Sequence, residues 1–171
     1  MEKSMHLEPL LRMRVDLGNR YPIGPIPKGR RNVWQLGGGT VEGPRIKGTV
    51  APVGGEFELI DQEGVFHIDV RLVIVTHDMA NIFVQYFGVA NTTPQAAAKY
   101  KAGETVDFGE TYFATQPRFE TSHARYSWLN HVMAVAEGRG DGRAVEYLMY
   151  QCVPDQSIGL ARADSVFRFD G

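Results

Sequence analysis

The chain lacks the features that mark several large classes of protein. Its 171 residues include one cysteine, Cys152, so no disulfide can form within the chain. The longest wholly aliphatic run, Leu72–Val75, is far too short to span a bilayer, and the N-terminal segment has no uninterrupted apolar stretch of signal-peptide length. These absences predict a cytoplasmic protein with no membrane partner.

Charge imbalance and cofactor motifs are missing too. The formal net charge of −2 gives no reason to expect a nucleic acid or an anionic surface as partner. There is no phosphate-binding loop, no Gly-x-Ser-x-Gly elbow and no cysteine pair at zinc spacing. His67 and Asp69 could supply two metal ligands, but a third is not evident. Cys152 ends a strand pattern, which favours a structural thiol over a nucleophile. We therefore expect neither a metal nor an organic cofactor.

What is present is a series of short strands. Glycine and proline turns recur every eight to twelve residues or so, and the longest alternating run, Val65–Thr76, is followed after a short turn by a second strand from Asn81. One helix is expected near residues 93–101, where Thr93 can cap it. The pattern predicts one all-β domain over residues 1–171, a closed antiparallel β-barrel of about eight to ten strands, with a sandwich as the alternative. Residues 154–171 are interpreted as a C-terminal extension.

Three local predictions concern irregular segments. Three prolines between Gly18 and Arg31 predict a long loop, whose basic end at Arg31 could meet an anionic group or simply be solvated. A strand is predicted from Trp128 to Glu137, and a hairpin turn over residues 138–142.

Asp69 and Arg71 lie two residues apart on the longest strand, so their side chains share one face. If that face meets solvent, they form a surface ion pair contributing roughly 0–1 kcal/mol. If it meets the lumen, the carboxylate could act as a general base while the guanidinium orients an oxyanion. The opposite face of this strand is wholly apolar, so the pattern alone favours the solvent-facing interpretation.

An aromatic run from Thr111 to Asn130 interleaves rings with polar side chains, a composition that can line a cavity. The candidate pocket residues there are Tyr112, Glu120, Tyr126, Trp128 and Asn130. The Asn130 amide could bind a ligand carbonyl, or it could satisfy a backbone group.

The order of several motifs resembles a known family. These motifs are Arg30-Arg31, Gly38-Gly39-Thr40, Asp69-Val70-Arg71, Pro117-Arg118-Phe119-Glu120-Thr121 and Tyr126-Ser127-Trp128-Leu129-Asn130. Together they resemble the UPF0311 family, also called domain of unknown function 3237, from about Leu7 to Tyr150. The resemblance implies a single-domain barrel, similar in outline to allene oxide cyclase and lipocalin-like barrels, that assembles as a homodimer. Asp78-Met79 departs from the Asp-Gly usual in that family, which implies a reshaped turn.

The resemblance favours Asp69 and Arg71 as parts of a shared site. The leading hypothesis is a cofactor-independent enzyme, an isomerase, cyclase or hydro-lyase, that acts on a carbonyl-bearing or aromatic small molecule. Asp69 or Glu120 would be the base, and Arg71 and Asn130 would stabilise the oxyanion. Tyr112, Tyr126, Trp128 and Arg31 would bind the substrate. The alternatives are a non-catalytic binding barrel, a lactone or ester hydrolase, and an interaction module.

Overall fold

The structure, a computed structural model, describes residues 5–154. In chain order its elements are β1 (Met5–Ile26), β2 (Gly29–Glu42), β3 (Lys47–Glu56), β4 (Leu59–Ile60), β5 (Val65–Thr76), β6 (Asn81–Asn91), α1 (Pro94–Ala102), β7 (Phe113–Glu120), a 3₁₀ helix (Ala124–His131), β8 (Ala134–Gly140) and β9 (Ala144–Pro154). Among these residues, no helix is long and apolar enough to cross a membrane.

The strands form one closed antiparallel sheet. The order β1-β9-β8-β7-β6-β5-β3-β2 returns to β1 through a β1–β2 pairing, and the short β4 bridges β2 and β5. Closure leaves few unpaired strand edges. The prediction of an all-β, closed antiparallel barrel is confirmed.

The inner face of the barrel carries the hydrophobic core. On β5, Ile68, Val70, Leu72 and Ile74 are each at most 5% exposed, while the residues between them are half-buried. The same alternation on the neighbouring strands builds one core cluster inside the ring. A side chain on β5 therefore points into the lumen at even residue numbers and to the outside at odd numbers.

The strongest local predictions agree with the structure. β5 and β6 pair continuously, from Val65 with Asn91 to Val75 with Asn81. The predicted helix is capped by the Thr93 hydroxyl, which accepts from the Ala96 amide, and it ends at Gly103 in the left-handed conformation. In the β5–β6 turn, Met79 has φ 65°, a left-handed conformation that glycine adopts at less cost.

The predicted loop from Gly18 to Arg31 is wrong, because β1 continues through its prolines to Ile26 and pairs there with β2. The pairing of β1 with β9 ends at Asp16, so the rest of β1 has a neighbour on one edge. A proline nitrogen that faces the other edge removes no ladder hydrogen bond. The part of the β1–β2 hairpin that follows Asp16 therefore extends beyond the end of the pairing with β9.

The predicted strand from Trp128 to Glu137 is also wrong over its first part, since residues 124–131 form a 3₁₀ helix and β8 begins at Ala134. The predicted turn over residues 138–142 starts too early, because β8 continues to Gly140. The predicted C-terminal extension over residues 154–171 lies outside the described residues except for Pro154 at its start.

Candidate functional site

Asp69 and Arg71 lie on the outer face of β5, away from the core. Arg71 Nη1 donates to Asp69 Oδ1 at 2.8 Å, and the side chains of Arg71 and Asp69 are 41% and 30% exposed, respectively. This answers the question of orientation that the sequence left open. A pair this accessible contributes roughly 0–1 kcal/mol to stability. Any role of the pair in binding stays a prediction, and it would concern the outer surface.

Two of the predicted residues meet in a groove on that surface. Arg31 and Asp69 line a groove of about 490 Å³ together with the rings of Phe57 and Phe87. His67 also borders it, but its Nε2 lies 2.7 Å from Asp61 Oδ2. Within residues 5–154, no group of three or more His, Cys, Asp or Glu side chains is placed to hold a metal ion.

Glu120 and Asn130 border a second outer groove, of about 480 Å³. The Asn130 amide accepts from the Thr121 N–H and donates to the Thr121 carbonyl, both at 2.8 Å. Both ends of the amide are therefore engaged with backbone. These contacts agree with the second interpretation of Asn130, in which its amide satisfies backbone groups.

The predicted aromatic residues do not converge on one pocket. Tyr112 is 63% exposed. The Trp128 ring is covered by the guanidinium of Arg45, at 3.8 Å from the ring centroid. Tyr126 is fully buried, and its hydroxyl donates to Asp78 Oδ1 at 2.7 Å. The 3₁₀ helix separates Tyr126 from Trp128, because residues two apart do not share a face there as they would on a strand.

Tyr126 belongs to a polar network that fastens the 3₁₀ helix to the β5–β6 turn. Asp78 accepts from the Thr76 hydroxyl at 2.6 Å, from the Tyr126 hydroxyl, and from Arg125 Nη1 at 3.0 Å. The hydrogen bonds from Thr76 and Tyr126 are the main reason that the pKa of Asp78 lies well below its usual value. Burial and the hydrogen bond to Asp78 raise the pKa of Tyr126. We call Thr76, Asp78, Arg125 and Tyr126 the turn latch.

The lumen contains a titratable group that the sequence did not single out. Glu56, the last residue of β3, lies in register with Trp34 of β2 and Val70 of β5, and Val70 is in register with Tyr86 of β6. Val70 and Tyr86 are 2% and 1% exposed, so this row of side chains faces inward.

The carboxyl group of Glu56 is poorly solvated. The residue as a whole is half-buried, yet burial of the carboxyl, followed by the charge of Glu58, raises the pKa of Glu56 to about 8. Glu56 makes no hydrogen bond through its carboxyl to any residue that the structure describes. The neutral form of this group is therefore favoured at pH 7.

Two buried tyrosines share this part of the lumen. Tyr86 and Tyr147 are at most 2% exposed, and their ring centroids lie 5.2 Å apart in an edge-to-face arrangement. Burial raises the pKa of both hydroxyls, and the nearby Glu56 charge adds to the effect. Both groups therefore stay protonated at neutral pH. Phe113 packs against Tyr147 at 5.8 Å and extends the apolar wall.

Sequence reasoning could have found part of this site. Glu56 and Glu58 alternate with Phe57 along an extended segment, so both carboxyl groups lie on one side. Tyr86 falls on the apolar face of β6, where a hydroxyl needs a partner. Neither pattern shows that β3, β6 and β9 place Glu56, Tyr86 and Tyr147 on one inner surface. That information lies in the register of the closed sheet.

We refer to Glu56, Tyr86 and Tyr147 as the lumen triad. The fold and this triad place the protein among closed antiparallel β-barrels that have ionisable side chains on the inner face. The chain belongs to the DUF3237 family, described as a protein of unknown function, whose family model matches residues 5–152.

Known relatives share most of the chain. A UPF0311 protein of Rhodopseudomonas palustris (strain TIE-1) is 30% identical over 146 residues, covering 85% of this chain and 95% of the relative. The crystal structure of a beta-barrel like protein from Acinetobacter baumannii AYE is similar at 31% identity and a TM-score of 0.74, over 87% of this chain and 96% of that one. An enzyme from Penicillium herquei is similar at a TM-score of 0.63, over 89% of this chain and 96% of that one; at 22% identity this likeness shows the fold alone.

Proposed function

We propose that this protein is an enzyme that performs acid–base chemistry inside the barrel, with Glu56 as the proton donor. The observation that carries the proposal is the position of Glu56 in an inward-facing row with Val70 and the buried Tyr86, where burial raises the pKa of its carboxyl to about 8. A neutral carboxyl kept in a low-polarity site at pH 7 is a typical general acid. A buried carboxyl group lowers the stability of the fold, and a role in acting on a ligand would explain why it is retained.

The triad suits a substrate whose reaction develops charge on an oxygen. Glu56 can protonate a carbonyl or enolate oxygen, or a carbon of the attached π system. The hydroxyls of Tyr86 and Tyr147 can donate to the same oxygen, because their raised pKa values keep them protonated. The surrounding rings and aliphatic side chains favour a neutral, carbonyl-bearing or aromatic molecule. Isomerisation, cyclisation, and addition or loss of water all fit this set of groups.

Glu56 thus takes the acid–base role that the sequence analysis assigned to Asp69 or Glu120, both of which border outer grooves. Asp69, Arg71 and Arg31 remain candidates for binding on the outer surface. The similarity to an enzyme from Penicillium herquei adds a precedent for catalysis on this fold and nothing about substrate. Assembly as a homodimer is likewise a proposal, which light scattering on the purified protein would test.

The test is proton exchange on probe compounds. Wild-type protein is incubated in D₂O with 2-cyclohexenone and 1-tetralone, and deuterium incorporation beside the carbonyl is followed by NMR. We expect Glu56→Gln, which keeps the size of a protonated carboxyl, to lower the exchange rate by about 10²–10⁴-fold. Glu63→Gln, on the exposed surface, is the matched control and should exchange at the wild-type rate.

A second readout needs no substrate. Carbon-13 NMR of labelled glutamate carboxyls should show one group that titrates near pH 8 and that is missing in Glu56→Gln. If all glutamates titrate near their usual values, the proposal fails. If Glu56 titrates as expected and the probes bind without exchanging, the barrel binds small molecules and does not act on them.

A further inference from the structure

A chain of polar contacts runs from β1 through β2 to Glu58, two residues beyond Glu56 of the lumen triad. Asn32 of β2 is fully buried, at 0% exposure. Its Oδ1 accepts from Arg20 Nη2 at 2.9 Å, and its Nδ2 donates to Glu58 Oε1. A guanidinium can only donate, so Arg20 fixes which end of the amide faces Glu58.

Glu58 is held by its backbone as well as by its side chain. The Asn32 N–H donates to the Glu58 carbonyl at 3.0 Å. Arg20 in turn lies 5.5 Å from the centroid of the Trp34 ring, which limits its own movement. Two strands therefore set the direction of one carboxylate.

Glu58 lies next to the proposed acid. It follows Glu56 by two residues along an extended segment, where the Cα atoms are roughly 6.6 Å apart and the side chains share a side. On β2, Trp34 is opposite Glu56, and Asn32, two residues away, donates to the Glu58 carboxylate, so the two glutamates lie along the same part of β2. Glu58 is half-buried, so it retains a path to solvent.

We propose that Glu58 is the general base that works with Glu56, and that Asn32 is the residue that positions it. This inference rests on the proposed function and assigns the second proton-transfer group of the same site. Two carboxyl groups in different environments then take different roles, one as proton donor and one as proton acceptor. The groups that act on this pair from other strands are Arg20 of β1, Tyr86 of β6 and Tyr147 of β9.

The step balances with protons alone. Glu58 removes a proton from a carbon or oxygen of the substrate; that bond breaks, an O–H bond forms on Glu58, and the electron pair stays in the substrate's π system. Glu56 delivers its proton to the other end of that system. Glu58 then releases its proton to water and Glu56 recovers one, which restores the starting state.

Glu58→Gln separates the two roles. The new amide group still presents an oxygen to Asn32, so the fold is retained, but it cannot accept a proton. We expect at least a 100-fold loss of deuterium exchange with 2-cyclohexenone and 1-tetralone, roughly the contribution of one general base. In the wild type we expect exchange to fall above about pH 8, where Glu56 is ionised.

Asn32→Asp tests the positioning role. It keeps an acceptor for Arg20 and removes the donor to Glu58, so the exchange rate should fall by about tenfold or more, and Asn32→Gln, which keeps an amide donor, should recover part of the loss. Asn19→Asp, on the exposed part of the same hairpin, is the control and should leave the exchange rate unchanged. If Asn32 only stabilised the fold, Asn32→Gln would lose exchange as fully as Asn32→Asp.

The outcomes distinguish this inference from the proposed function. If Glu58→Gln exchanges at the wild-type rate while Glu56→Gln does not, the inference is overturned and the proposed function stands. If both variants match the wild type, both fail. NMR decides where neither probe exchanges: Glu58→Gln should lower the pKa of Glu56 from about 8, and an unchanged value overturns the pairing.

Discussion

Polar groups inside this barrel differ in how completely they are satisfied. Asn32 and Thr76 are buried and have hydrogen-bond partners, and each belongs to a chain of contacts between strands. Glu56 has no such partner within the described residues, and its pKa is raised as a result of burial. A group in this state weakens the fold at some pH values. Its presence therefore gives a measurable signature even before a substrate is known.

Glu56→Gln should become more stabilising as pH rises. The pKa of Glu56 is about 8 in the folded protein and near 4.5 when the chain is unfolded. Between these values the unfolded state is ionised and the folded state keeps its proton, so the wild type loses stability with rising pH. Below about 4.5 both states are protonated, and above about 8 both are ionised, so the difference is constant outside the window.

Urea unfolding at pH 5 and at pH 8.5 measures this effect. The stability difference between Glu56→Gln and wild type should grow by on the order of 3 kcal/mol between the two pH values. Glu63→Gln, exposed on the surface, should show no such change. A difference that is the same at both pH values would mean that Glu56 is solvated in the folded protein.

Met79 gives a second prediction at this scale. Its φ of 65° costs a residue with a Cβ roughly 1–2 kcal/mol, and its side chain is 77% exposed, so little packing is lost on truncation. Met79→Gly should raise the free energy of unfolding by about 0.5–1 kcal/mol after the extra entropy of glycine in the unfolded chain. Val53→Gly, at an exposed strand position without a positive φ, should instead be destabilising. Urea titration of both variants provides the comparison.

At the scale of elements, the sequence predicted those whose signals are local. The alternation in β5 and β6 and the cap at Thr93 are each signals within a few residues, and all three elements appear as predicted. The prolines of β1 led to a wrong prediction of a loop, because a proline disrupts a sheet only where its nitrogen faces a paired edge. Which edge of β1 is paired depends on where β9 ends its pairing, and β9 lies far along the chain. The aromatic run around Trp128 resembled a strand, yet it forms a 3₁₀ helix fastened from outside by the turn latch.

The candidate site was predicted less well than the fold, for a related reason. Asp69 and Arg71 attracted attention because they are polar and adjacent, but adjacency on a strand does not reveal which face is inside. Glu56 and Tyr86 are 30 residues apart in sequence and lie in one cross-strand row because β3, β5 and β6 are in register. A barrel interior is built from such distant pairs. One sequence contains no direct signal for them.

The turn latch predicts acid sensitivity of one end of the barrel. Hydrogen bonds from Thr76 and Tyr126 lower the pKa of Asp78, so this carboxylate stabilises the fold above the unfolded pKa, near 3.9, and the contribution is lost as pH falls. Asp78→Asn should lower the melting temperature at pH 7 and reduce its dependence on pH below about 4. Asp16→Asn, which affects a surface pair with Arg14, is the control and should change neither. Circular dichroism melts between about pH 2 and 7 make the measurement. Equal acid sensitivity in Asp78→Asn and wild type would contradict the role of the latch.

For the whole molecule, closure of the ring is uneven. β5 and β6 pair along their entire length, from Val65 to Val75. Between β7 and β8, in contrast, the ladder joins Ala114 with Glu137 and Thr115 with Ala136. The Thr115 hydroxyl at this seam is buried and has no hydrogen-bond partner in the part of the chain that the structure describes. A short ladder with an unsatisfied group is the place where a closed sheet opens at the lowest cost.

Native-state hydrogen exchange should therefore divide the barrel into two parts. Amides of the seam should exchange through a local opening, at rates at least about tenfold faster than the amides at the centre of the β5–β6 hairpin, since each ~1.4 kcal/mol of opening free energy corresponds to a factor of ten. Thr115→Val removes the unsatisfied hydroxyl at nearly constant volume, and we expect it to slow exchange at the seam while leaving the hairpin unchanged.

The seam borders the lumen on the side of Phe113, which packs on Tyr147 of the triad. A ligand that binds the triad should then also slow exchange at the seam, because it stabilises the closed form. Uniform rates around the ring would contradict this division and would show that the barrel opens as a single unit.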